Sequence, residues 1–314
     1  MFVFNTAKQY NKYYTGEEKS TYSLKFPNII FQNKVILSKL LKNLRKQDKI
    51  KILDFGCGNG RHLYFLLKKV QKLQNKKAVE IICYEISVTG LKTCQSILIK
   101  NNFKIISNQK TSDTYKTKKG YCLTKLKKGN IVVKLIHGYE YDNVRNLTNL
   151  IGKVDITLCL FGVLSHIHKN RKDYLLLFKN ITTQYIFISV PSGNTYKEEQ
   201  ICYKVIRNQQ ELYPGIEVLK EGDIFVCKNI NDKNRVSYYY HIYTKERLKK
   251  ELEEAGLLNN EIGIICTKKL APLTRNQILG IYDYIKAKIY SKILPDKCFD
   301  KAGFIYSVSK VSKT

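Results

Sequence analysis

The sequence predicts an α/β fold with a mostly parallel sheet, on three observations. Ile50, Ile52 and Leu53 form a short apolar run that breaks into glycines at 56, 58 and 60, and an apolar helical pattern follows from Leu63. A strand that turns through glycines into a helix is the layout of a nucleotide-binding βα unit. Further strand-like runs recur at 79–86, 131–136, 154–167, 184–190 and 262–266, with helical stretches between most of them. Phe304 to Val311, FIYSVSKV, alternates apolar and polar residues and closes the sheet as an antiparallel seventh strand.

The spacing of the first turn selects among ligands. A dinucleotide fold places glycines as G-x-G-x-x-G, with the pyrophosphate at the helix N-terminus. Here the third glycine comes one residue early and Arg61 takes the sixth position. Asp54 stands two residues before the first glycine, where a carboxylate repels phosphate. The second run ends in Glu85, whose two carboxylate oxygens can accept from two ribose hydroxyls at once.

The pattern D-x-G-x-G-x-G in LDFGCGNGR resembles the first motif of class I S-adenosylmethionine-dependent methyltransferases. The resemblance covers roughly residues 45–311 and implies a Rossmann-like, mostly parallel seven-stranded sheet with an antiparallel last strand and insertions. LDFGCGNGRHL and FGVLSHI resemble the branch that contains tRNA wobble-uridine methyltransferases and small bacterial methyltransferases. S-adenosyl-L-methionine is the implied cofactor. The resemblance implies that Asp54, Gly56, Gly58, Asn59 and Gly60 hold its amino-acid part and Glu85 its ribose. Members often carry a Gly-Asp pair after the third strand. This chain has Gly138-Tyr139-Glu140, so Tyr139 or Glu140 is expected at the adenine. Leu160, Phe161 and Gly162 would face the sulfonium, and His166 is a candidate general base, with His168 behind it.

Two domain-level units are expected: an N-terminal helical segment over the cofactor site at 1–49, and a methyltransferase domain at 50–314. The domain carries insertions at about 104–129, 195–241 and 270–300. Tyr10, Tyr13 and Tyr14 lie in the first segment, where they could cover the cofactor or pack on the surface. Residues 107–120 read as a mobile basic loop. GDIFVCKNINDKNRVSYYYHIYT, within the second insertion, reads as two strands of a hairpin turning at NDKN, and Tyr238, Tyr239, Tyr240, His241 and Tyr243 could line a pocket or stack on a base. Strand alternation sends at most half of them to any one ligand. Thr244 caps the helix that follows, and Gly256 ends it.

Composition bounds the rest. The chain has 55 Lys and Arg against 26 Asp and Glu, a net charge of +29. That balance suits an RNA partner, and equally suits a lysine-rich codon bias. Nine scattered cysteines, none spaced as C-x-x-C, predict reduced thiols without a zinc site. No apolar run approaches the roughly 20 residues of a membrane span, so a cytoplasmic enzyme is expected. It would move a methyl group to an O or N nucleophile on RNA, tRNA included, or on a small molecule. An inactive cofactor- or RNA-binding protein is the third reading.

Overall fold

The computed structural model describes residues 8, 10, 11, 14, 40, 48–71, 77–108, 120–138, 144–167, 170–191, 223–231, 234–258, 260–265 and 304–311. The chain opens with β1 (Lys49–Phe55), α1 (Arg61–Val70), β2 (Ala78–Glu85) and α2 (Val88–Lys100). Three strands follow, β3 (Lys104–Asn108), β4 (Tyr121–Lys128) and β5 (Ile131–His137), then α3 (Val144–Ile151) and β6 (Val154–Cys159). A 3₁₀ turn at Leu164–His166 leads to α4 (Arg171–Ile181) and β7 (Thr182–Pro191). The last elements are β8 (Asp223–Asn231), β9 (Asn234–His241), α5 (Lys245–Glu254), β10 (Asn260–Ile265) and β11 (Phe304–Lys310).

Nine strands form one sheet in the order β10-β11-β7-β6-β1-β2-β5-β4-β3, and β8 pairs with β9 separately. Strands β5, β2, β1, β6 and β7 run parallel, and β11 lies antiparallel between β7 and β10. The expected seven-stranded Rossmann-like sheet is therefore present, extended by β4 and β3 as antiparallel strands at one edge. Its two faces are buried differently. Ile52, Ile81 and Val133 meet Leu63, Leu66, Leu91 and Leu98 of α1 and α2 on one side. Leu53, Ile82 and Ile186 meet Leu147, Phe178 and Leu252 of α3, α4 and α5 on the other. Central strands buried on both faces read as near-continuous apolar runs, which is why β1 and β6 are so plain in the sequence.

Several boundaries differ from expectation. The fourth core strand stops at Cys159; residues to His166 form turns, because Phe161 and Gly162 both take positive φ, 61° and 85°. Ser107 and Asn108, assigned to a basic loop, belong to β3; residues 109–119 of that loop lie outside the described ones. The third insertion, 270–300, also lies outside them.

Candidate functional site

The chain leaves β1 in one direction, through β2 toward β5, and later returns on its other side through β6 and β7. Open α/β sheets hold ligands at such a switch point, at the carboxyl ends of the strands. Two turns meet there. A Cβ on Gly56, which has φ 70°, would come within 2.5 Å of Val163 beyond β6, so the contact of the two turns requires glycine. Gly90 in α2 plays the matching part: a Cβ there would stand 2.8 Å from the Gly58 carbonyl oxygen.

The backbone donors of the glycine turn are spent inside the protein. Gly56 N–H and Cys57 N–H donate to the Tyr84 carbonyl at 2.8 and 3.1 Å, and Gly60 N–H donates to the Cys57 carbonyl at 3.0 Å. Gly58 N–H donates to Glu85 Oε2 at 2.8 Å, and Ser87 N–H donates to Glu85 Oε1 at 3.0 Å. A phosphate nest needs several such donors aimed outward. This turn aims four of them inward, and below it the Cys94 thiol donates to the Gly58 carbonyl at 3.4 Å.

The charge at the site is negative and buried. Asp54 is 1% exposed, and its Oδ2 has no hydrogen-bond partner. Burial, then the nearby Glu85 charge, pushes its carboxyl up to about 7. Glu85 is pushed up by burial too, against the pull of its backbone donors. Its two oxygens offer about four lone-pair sites, more than these backbone donors fill.

Residues of the N-terminal segment sit over this floor. Asn11 Oδ1 accepts from Ser87 Oγ at 2.8 Å and from Thr89 N–H at 3.2 Å. Ser87 also caps α2, accepting from Gly90 N–H at 3.1 Å. The Tyr14 hydroxyl closes over Gly58, and Tyr10 meets the His166 ring edge-on at 5.8 Å.

On the β6 side, Leu160 is buried and Phe161 holds its left-handed backbone through Ser189. Phe161 N–H donates to Ser189 Oγ at 2.7 Å, and Gly162 N–H to the Ser189 carbonyl at 2.9 Å. The Phe161 ring stacks on Phe304 at 4.8 Å, with the Arg61 guanidinium 5.5 Å from its centroid. Burial lowers His166 to about 4, opposed by a hydrogen bond with the Tyr239 backbone. The ring is therefore neutral through the physiological range.

Asp54, the glycine turn, Glu85, Leu160, Phe161, Gly162 and His166 thus collect at one end of the sheet. Tyr139, Glu140 and His168 lie outside the described residues. The tyrosine cluster is corrected: Tyr239, His241 and Tyr243 are 0%, 0% and 1% exposed, so they cannot stack on a base. Tyr239 Oη accepts from Arg171 at 2.8 Å, Tyr243 Oη donates to Glu251 at 2.8 Å, and Arg171 pairs with Glu251 at 3.4 Å. They pin the hairpin to α4 and α5. Asn11, Ser87 and Ser189 were missed as site-building residues. Ser87, three residues before Gly90, carried a helix-cap signal; the others bond across 76 and 28 residues and carried none.

Among the described residues no cluster could hold a metal ion, and no helix is long and apolar enough to cross a membrane. No protein-family profile matches the chain, and no curated protein does. Similar solved structures include an S-adenosylmethionine-dependent methyltransferase from Clostridium acetobutylicum: 12% identity, TM-score 0.46, covering 97% of this chain and 99% of that one. Magnesium protoporphyrin IX methyltransferase from Synechocystis, with bound S-adenosylhomocysteine, gives 13% and 0.44, covering 90% and 84%. A putative sarcosine dimethylglycine methyltransferase from Galdieria sulphuraria gives 13% and 0.45, covering 90% and 85%. At these values the sheet order and the chain's own residues carry the functional reading.

Proposed function

We propose that this protein is an S-adenosylmethionine-dependent methyltransferase acting on an O or N nucleophile. The observation that carries the reading is Asp54. Its buried, unpartnered Oδ2 lies beside a glycine turn whose N–H groups face inward. A phosphate would meet the Asp54 carboxylate there, and four turn N–H groups already bonded inside the protein. A ligand with a cationic amino-acid end would supply the missing partner, so the residues present fit this cofactor and not a dinucleotide.

When bound, the cofactor supplies a methyl group already activated on a sulfonium. Asp54 would pair with its ammonium, with Gly56, Gly58, Asn59 and Gly60 forming the wall beside it. Glu85 would use its remaining lone pairs on the ribose hydroxyls while holding Gly58 and Ser87 in place. Tyr139 or Glu140 remains proposed for the adenine. Leu160, Phe161 and Gly162 would line the reacting centre, fixed by Ser189, so that positioning supplies most of the acceleration. His166, neutral above about pH 4, is always ready to accept a proton, yet its low basicity limits it to acceptors whose protons leave readily. Cys57, Cys83, Cys94, Cys122 and Cys159 are free thiols, which suits the reducing cytoplasm proposed as its location.

Calorimetry with S-adenosylhomocysteine, on wild type and Glu85→Ala, tests the assignment. Micromolar binding by wild type and a loss of tenfold or more in the variant is expected. A wild type that binds neither this ligand nor S-adenosylmethionine would sink the reading.

A further inference from the structure

The strands added at the sheet edge carry a charge pattern that the cofactor site does not use. Strands β3, β4 and β5 together hold five lysines and no acid in 20 residues. The whole chain carries a net of +29 over 314 residues, so this edge is far more basic than the average that a codon bias would spread evenly.

The register puts four of these lysines on one face. Lys104 of β3 lies directly opposite Lys127 of β4, and Lys125 of β4 directly opposite Lys134 of β5. Lys125 and Lys127 are two apart on one strand and share that side. Continuing across β5 to β2, Lys127 aligns with Val132 and Glu80. Glu80 answers Lys134 at 2.6 Å. Lys104 and Lys127 are exposed and Lys125 half-buried, and no acid on β3, β4 or β5 faces them. Like charges directly opposite on a sheet destabilise it by a few tenths to about 1 kcal/mol. A folded chain that keeps two such pairs side by side gains nothing from them alone. A polyanion laid across the face reverses the sign.

Beside these lysines lie Ser107 and Val132, and Ile105 and Ile106 of β3 are exposed as well, but charge is what the paired positions repeat from strand to strand. Recognition here is by charge, as for a phosphodiester backbone. Lys134 is three residues from His137, roughly 10 Å along the strand, and His137 pairs with Glu85 at the site. We infer that the β3–β4–β5 face, through Lys104, Lys125 and Lys127, is the docking surface for the backbone of an RNA whose nucleotide reaches the methyl-transfer site. The inference rests on the methyltransferase reading for the reaction, but not for the binding.

Fluorescence anisotropy with a labelled 20-nucleotide oligouridylate and with total tRNA, from 50 to 300 mM salt, tests it. Three proteins are compared: wild type, Lys104→Gln/Lys125→Gln/Lys127→Gln, and a charge-matched control, Lys68→Gln/Lys172→Gln/Lys250→Gln, on exposed positions of α1, α4 and α5. The sheet variant should lose tenfold or more in affinity near 100 mM salt. Its log–log salt slope should fall by about 2, from three phosphate contacts at about 0.7 each. The control should stay within about threefold of wild type. Equal losses in both variants, no RNA binding by wild type, or binding of anionic vesicles in place of RNA would overturn the inference. The sheet variant should melt no lower than wild type, since its like-charge pairs are relieved, and should bind S-adenosylhomocysteine equally well, which separates this surface from folding and from the cofactor site.

Discussion

Two buried polar groupings in this molecule are built to opposite standards. Beneath the β8–β9 hairpin, Arg171, Tyr239, Tyr243 and Glu251 bond to one another. At the end of β1, Asp54 is more deeply buried than Arg171 or Glu251, and its Oδ2 bonds to nothing. A buried polar group left unpaired costs about 1–3 kcal/mol, and more when charged. The first grouping is therefore structure: it closes upon itself and holds a hairpin on α4 and α5. The second is left open at a strand's carboxyl end, as the proposed pairing of Asp54 with a ligand ammonium requires.

The contrast is broken most severely at Asp54. Asp54→Asn should lower S-adenosylmethionine affinity by 100-fold or more in calorimetry while raising the melting temperature of the ligand-free protein at pH 8. The sign follows from its carboxyl, raised from 3.8 to about 7. A raised carboxyl contributes stability below about pH 4 that is lost as pH climbs through 7, about 4 kcal/mol if the full shift is realised. Removing the charge removes that loss. Arg171→Met should do the reverse, taking the cation from Glu251 and the donor from Tyr239 Oη. We expect about 2–3 kcal/mol of destabilisation in urea unfolding, with cofactor affinity of the folded protein changed less than threefold.

Smaller effects refine the comparison. Ser189→Ala removes the acceptor that holds Phe161 at φ 61°, and should cost about 1 kcal/mol in urea unfolding with a several-fold fall in kcat at nearly constant cofactor affinity. Thr244→Ala, which removes the cap on α5 far from either grouping, should cost about 0.5–1 kcal/mol and leave binding unchanged.

The legible parts of the fold were those that local pattern determines. β1 with its turn was visible because an apolar run, three glycines and a helical stripe agree within about 20 residues. Glu85 was visible from its distance to that turn, and the Thr244 cap and Gly256 stop from residue type alone. β3 was hidden because every residue of KIISN is exposed, so no burial alternation marks it. Tyr239 and Tyr243 looked like a binding surface because aromatic content does not say which way a strand faces. Their partners Arg171 and Glu251 lie on other elements, so only the folded chain shows that these tyrosines belong to the core.

Titration of wild type with S-adenosylmethionine by calorimetry at pH 6.0 and pH 8.0 tests the Asp54 assignment most directly. A ligand ammonium requires Asp54 ionised, so with the carboxyl near 7 the affinity should fall about tenfold at pH 6.0 relative to pH 8.0, with a proton released on binding at the lower pH. Binding of equal strength at both pH values, with no proton released, would contradict an ion pair at Asp54, and absence of binding at both would contradict the cofactor site itself.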